Sequence, residues 1–188
     1  MTKPIPTPEM LRKLLRYDPE TGKLFWRERP VEMFADTGRG GSKGSAARWN
    51  GRFSGKEAFT AISGSGYLTG GIFSKVFQAH RVIWAMETGE WPNDEIDHIN
   101  GIRVGNKMNN LREVSHSENM QNMVMPRTNT SGHMGVSWCK GNGKWLSQIC
   151  FEGRKISIGY FNCITAALFS RKLANIEYGF HQNHGRLQ

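Results

Sequence analysis

No apolar run in these 188 residues approaches the length needed to cross a bilayer. The opening residues do not read as a signal peptide. No membrane partner is expected, and the expected setting is cytoplasmic. Cysteine is nearly lacking as well. Cys139, Cys150 and Cys163 are odd in number and widely spaced, with no CxxC pair, which points to reduced thiols and away from a zinc site. Acid is also in short supply: 16 Asp and Glu face 25 Lys and Arg, for a net charge of +9. That balance favours a polyanionic partner, because cationic side chains gain by releasing counterions from phosphates. Charge alone selects no particular polyanion. A composition of 38% hydrophobic and 22% charged residues is globular, and the length allows one domain or two to three small modules.

Residues 37–56 have no acid at all, while carrying Arg39, Lys43, Arg48, Arg52 and Lys56 among many Gly and Ser. This stretch reads as a loop, either a solvated linker or a segment that wraps a phosphate backbone. Before it, Met10, Leu11, Leu14 and Leu15 share one face of a helix over residues 8–16. Turn chemistry follows at residues 17–22, with Pro19 presetting φ and Gly22 free to take positive φ, and then a short strand at residues 23–26. The N-terminal segment reads as a structural cap. Residues 58–64, 67–73 and 75–79 alternate as strands, Ala79–Met86 as a helix, and residues 89–94 as a turn.

The chemistry concentrates after that turn. Asp97 and His98 stand next to each other behind Glu95 and Ile96, and a Gly- and Asn-rich connection follows. Ser115 and Glu118 then form a capping box, each able to satisfy an orphan amide at a helix start. The layout is strand, loop, helix, with Asn119 in the first turn of the helix.

The pattern DH-x-NG, eight residues, NNLR-x-V, four residues, EN resembles the core of the HNH nucleases, which carry a ββα-metal site. It is most similar to the branch found in phages and intron-encoded homing endonucleases, which would place the protein in the host cytoplasm. The resemblance implies that Asp97 and Asn119 are metal ligands, His98 the general base, and Asn110 the brace of the loop that holds the histidine. His80 and Arg81 match a recurrent His-Arg pair upstream; His80 either lies near the scissile phosphate or anchors its helix. Arg112 either supports the loop or meets a phosphate. Phosphodiester hydrolysis needs a base and a cation, and a hard cation is content with carboxylate and amide oxygens. One Mg²⁺ or Mn²⁺ per active site is expected. His116, at the first position of the helix, is expected to be solvated or near phosphate.

Beyond a linker near residues 125–129, three short runs at residues 135–138, 144–151 and 155–161 are separated by Gly-containing turns, and a helix follows over residues 165–178. Ala166, Phe169, Leu173 and Ile176 are expected to pack on the sheet. The sequence resembles an AP2 domain, a three-strand-plus-helix DNA reader that is also fused to phage HNH nucleases. Alternation assigns Trp138, Trp145, Ile149, Ile156 and Ile158 to the core, and Ser137, Cys139, Gln148, Cys150, Lys155 and Ser157 to the groove. Most outward positions lack the arginines of plant AP2 domains, so phosphate contact is expected to dominate over base reading.

The expected architecture is α+β: an N-terminal appendage (1–65), an HNH nuclease core (66–125) and an AP2-like module (126–188). The expected function is metal-dependent hydrolysis of double-stranded DNA by a strand-nicking or homing-type phage enzyme, working as a monomer. The DNA-binding residues expected are Arg39, Lys43, Arg48, Arg52, Ser137, Lys140, Lys144, Gln148, Arg154, Lys155 and Ser157. The competing readings are a non-catalytic AP2-type regulator and a nuclease acting on RNA.

Overall fold

The computed structural model describes residues 5–36, 40–182 and 184–186; Arg39, one of the expected DNA contacts, lies outside them. The architecture is mixed α+β with small antiparallel sheets. Two compact units are present. The first comprises residues 1–98 with 102–113, and the second residues 99–101 with 114–188.

In the first unit, Thr7 caps helix α1 (Pro8–Leu14) by accepting from the Met10 amide, with Pro8 at the first helical turn. The helix is shorter than its pattern. Leu15 already opens strand β1 (Leu15–Asp18), so Tyr17 sits in a strand rather than in the turn. β1 pairs with β2 (Lys23–Trp26), and β2 with β3 (Glu57–Ala58). The turn between β1 and β2 is closed by Asp18, which accepts from the Glu20 amide and the Thr21 hydroxyl.

Residues 41–53 form a helix, α2 (Gly41–Phe53), where composition indicated a loop. Tertiary packing overrides the low propensity of its Gly and Ser residues. Trp49 meets Trp26 edge-on at 5.6 Å and lies 5.2 Å from Phe53. The Arg29 guanidinium covers Trp49 at 3.8 Å, and the Asn50 amide bonds both the N–H and the C=O of Arg29 at 2.9 Å.

A second sheet is built from β4 (Ala61–Ile62), β5 (Leu68–Ile72) and β6 (Lys75–Gln78), in that order. It leads straight into α3 (Ala79–Thr88), whose C-terminus is closed by Gly89 at φ 89°. Leu11, Leu14, Leu15, Leu24, Ile72, Val82 and Ile83, at 0–2% exposure, form the core. Strand β7 (Glu95–His98) then pairs with β8 (Leu111–Val114).

The second unit holds helix α4 (His116–Met120), a sheet of β9 (Val136–Cys139), β10 (Lys144–Phe151) and β11 (Arg154–Phe161), and helix α5 (Ile164–Glu177). Here the expected elements appear but two faces differ. On α5 the buried residues are Ala167, Arg171 and Ala174, whereas Phe169, Leu173 and Ile176 are exposed and Ala166 is too. The small residues let the helix lie close to the sheet, turning the larger ones outward. In the sheet, a register shift between Ser147 and Gln148 breaks strict alternation. Ser147, beside the shift, is fully buried, while Trp138, expected in the core, is 49% exposed on the edge strand β9.

Gly22 has φ +73°, and a Cβ there would lie 2.7 Å from backbone atoms of Asn106 and Lys107. Gly22→Ala is expected to lower unfolding free energy by more than about 1 kcal/mol, since both the conformation and the close approach reject a side chain. Urea denaturation would check this against an unchanged midpoint.

Candidate active site

Asp97 and His98 occupy the end of strand β7, both buried. The neighbouring strand β8 supplies Arg112, which donates from Nε and Nη2 to Asp97 Oδ2 at 3.0 and 2.9 Å. The carboxylate is thus oriented by a two-donor grip, which keeps a nearly buried anion compensated. His98 Nε2 lies 2.8 Å from Asn106 Oδ1, inside the fold. His80, from the start of α3, meets His98 edge-on with ring centroids 5.1 Å apart, and Tyr67 packs on both rings.

The loop between β7 and β8 is held along residues 102–110. Asn110 donates from Nδ2 to the Gly105 carbonyl at 2.8 Å. Tyr17, from β1, donates to the Asn106 carbonyl and accepts from the Met108 amide at 2.9 Å. Arg103 donates to the Ser65 carbonyl and lies over the Tyr67 ring. In the second unit, the capping box is complete: Ser115 and Glu118 bond each other's backbone amides. Asn119 lies within α4, half-buried, and His116 is exposed.

Residues 77–121 match the HNH endonuclease family. Over 84 residues the chain is 36% identical to Protein 3.8 of Escherichia phage T7, covering 44% of this chain and 69% of that protein. The chain belongs to this phage protein's family and carries an HNH endonuclease domain. No solved structure matches it.

Within the HNH domain the structure brings Asp97 together with Arg112, and His98 with His80 and Asn106. Asn110 bonds within the loop beside them, and Asn119 belongs to the second unit. Arg81 has a different employment: its guanidinium donates to the carbonyls of Pro92 and Asp94, tying down the turn before β7. Outside the HNH domain, Lys43, Arg48 and Arg52 lie on α2, with Arg48 also reaching Ser45. Ser137, Lys140, Lys144, Arg154, Lys155 and Ser157 lie on the sheet of β9–β11 or its turns, and Gln148 is half-buried opposite Ser157. Asn106 and Tyr17 were not singled out by sequence. The only signal for Asn106 was its place in an Asn-rich loop, and Tyr17 lies 89 residues from the carbonyl it bonds.

HNH nucleases generally use a divalent metal, and the donor types of the two expected ligands, one in each unit, are compatible with a hard cation. Asp97 offers carboxylate oxygen and Asn119 amide oxygen, the hard ligands that Mg²⁺ and Mn²⁺ take. Among the described residues, no group of three or more His, Cys, Asp and Glu side chains converges in a way that could hold a metal.

Burial governs the imidazoles. It pushes His98 below the usual histidine value, against the opposing pull of Asn106 and Asp97. His80 is pushed down to about 3 by burial, with His98 and Arg81 adding to the effect. Both rings are neutral at pH 7. An unfolded histidine titrates near 6.5. Between that value and about 3, the unfolded chain therefore binds a proton that native His80 refuses. Stability from this group is complete above pH of about 6.5 and is lost as pH falls through the acid range. Thermal midpoints measured from pH of about 7.5 down to about 4.5 should decline, and His80→Phe should flatten part of that decline. An equally steep profile in the variant would refute the assignment.

Proposed function

We propose that this protein is a metal-dependent phage DNA endonuclease in which His98 is the general base. One observation carries the reading: a neutral, buried imidazole stands beside a carboxylate oriented by Arg112, with its own Nε2 held by Asn106. With Nε2 so engaged, Nδ1 is the nitrogen that takes the proton from water. The hydroxide formed attacks phosphorus in line, and the 3′-oxygen leaves. Asp97 and Asn119 would hold a divalent cation, Mg²⁺ or Mn²⁺, which supplies stabilisation of charge on the phosphate and leaving oxygen. Asp97 is kept in place by Arg112, and Asn110 keeps the loop closed through Gly105.

The three strands and helix of residues 136–177 support an AP2-like reading of the C-terminal part. Lys144, Arg154, Lys155 and Ser157 give it an exposed polar and basic surface suited to phosphates. The acid-free helix α2 is the second candidate surface. Arg48 and Arg52, one turn apart, share a face of it.

Cleavage is tested on supercoiled plasmid with Mg²⁺ or Mn²⁺, against an EDTA control and an RNA substrate. His98→Ala should lose about 10²–10⁴-fold in rate while still binding DNA. Asp97→Ala should be rescued in part by more metal, and His116→Ala should cost far less than either. A dead His116 variant beside an active His98 variant would show that the roles are misassigned.

DNA affinity should also fall with salt. The Arg48→Ala, Arg52→Ala double variant should flatten the log–log salt slope by roughly 0.9 for each phosphate it no longer neutralises. An unchanged slope would remove α2 from the DNA surface. Point variants are preferable to truncation at residue 126, because Arg186 donates to the Asn122 carbonyl and Oδ1 at 2.7 and 3.0 Å.

A further inference from the structure

We propose that Asn106 is a positioning residue that fixes the working tautomer of His98, and that the N-terminal hairpin β1–β2 holds Asn106 in place to do so. The proposal rests on the nuclease reading for its consequence, but its structural claim can be read without any cleavage.

A neutral imidazole carries one N–H, and the partner of one nitrogen decides which nitrogen keeps the lone pair. Here Nε2 faces the Asn106 amide oxygen at 2.8 Å, with His98 3% and Asn106 1% exposed. An amide oxygen only accepts, so the proton belongs on Nε2 and the lone pair on Nδ1. If the amide were turned over, its nitrogen would donate to Nε2, the proton would move to Nδ1, and a base at Nδ1 would become a donor. In the observed orientation Asn106 Nδ2 is buried without a hydrogen-bond partner. The amide thus gives up a hydrogen bond of its own while presenting its oxygen to His98.

Asn106 cannot drift, because its backbone is fastened from a distant part of the chain. Tyr17 Oη donates to the Asn106 carbonyl at 3.2 Å and accepts from the Met108 amide at 2.9 Å. Gly22, in the β1–β2 turn, lies so close to the Asn106–Lys107 peptide that no Cβ fits between them. Both anchors lie outside residues 77–121, the part that matches the HNH family. The hairpin that sequence reading treats as a cap is therefore a support of the active-site loop.

The test uses the full chain labelled with ¹⁵N-histidine, with His98→Ala to assign the signal. The expected spectrum shows His98 in its Nε2–H form, both in the wild type and in Asn106→Asp, which keeps an acceptor at the same place. Asn106→Leu should mix the tautomers and reduce kcat on the order of 10–100-fold, the scale of supporting-shell losses, with KM for DNA unchanged. Asn106→Asp should retain kcat within about threefold, since the accepting oxygen is what matters. Tyr17→Phe should fall between the leucine variant and wild type. A wild-type Nδ1–H form would overturn the proposal, as would a folded Asn106→Leu protein cutting at the wild-type rate. If the leucine variant does not fold, the wild-type spectrum and the aspartate variant decide the matter. Absence of cleavage by the wild type under every metal would instead overturn the nuclease reading and leave the tautomer result standing.

Discussion

A neutral imidazole enclosed by protein has to be satisfied where it stands, and the bond from His98 Nε2 to Asn106 meets that need. Much of the first unit is arranged around the pair. Strand β7 carries the histidine inward, Tyr67 and His80 close over its ring, and the β7–β8 loop returns Asn106 to it. The loop has little regular structure beyond one short 3-10 turn, so its shape comes from its attachments: Tyr17, Arg103 and the Asn110 amide. Desolvation depresses the basicity of the ring, which favours the uncharged form that can accept a proton. Burial here is a chemical setting as well as a packing outcome.

The acidic partner in the HNH domain is handled differently. Arg112 pairs with the Asp97 carboxylate from the adjacent strand. Pairing β7 with β8 therefore sets the loop length and brings guanidinium to carboxylate in a single act. His80 has no such compensation: its Nδ1 is buried without a hydrogen-bond partner, and the ring is held neutral by its surroundings. Three neighbouring titratable groups are kept in three different ways, by an ion pair, by an amide and by enclosure.

What could be read from the sequence follows the range of the interactions involved. The capping box, the strand–turn–strand runs and the Asp97-His98 position at a strand end depend on neighbours within a few residues, and all are found in place. Helix α2 escaped because its glycines and serines give a weak local preference, while Trp26, Arg29 and Phe34, which hold Trp49 and Asn50, lie well before them in the chain. The exposed face of α5 escaped because its small residues, not its large ones, lie buried, and Trp138 escaped because it stands on the edge strand β9. Asn106 stood among Asn100, Asn109 and Asn110 with nothing local to distinguish it. Its distinction comes from Tyr17 and Gly22, which periodicity cannot connect to it.

The last described residues carry a consequence for how the protein comes into being. The Gly185 amide donates to the Met123 carbonyl, the Met125 amide donates to the Arg186 carbonyl, and the Arg186 guanidinium also lies against Gly101. The segment following α4, and the Ile99–Gly101 stretch after His98, are thus completed by residues made much later in the chain. A ribosome working from the N-terminus exposes His98 and its loop first and supplies this clasp later. A nascent chain would therefore carry His98 before the segment after α4 is fastened. Order of synthesis thus separates the making of this loop from the fastening of the segment that follows α4.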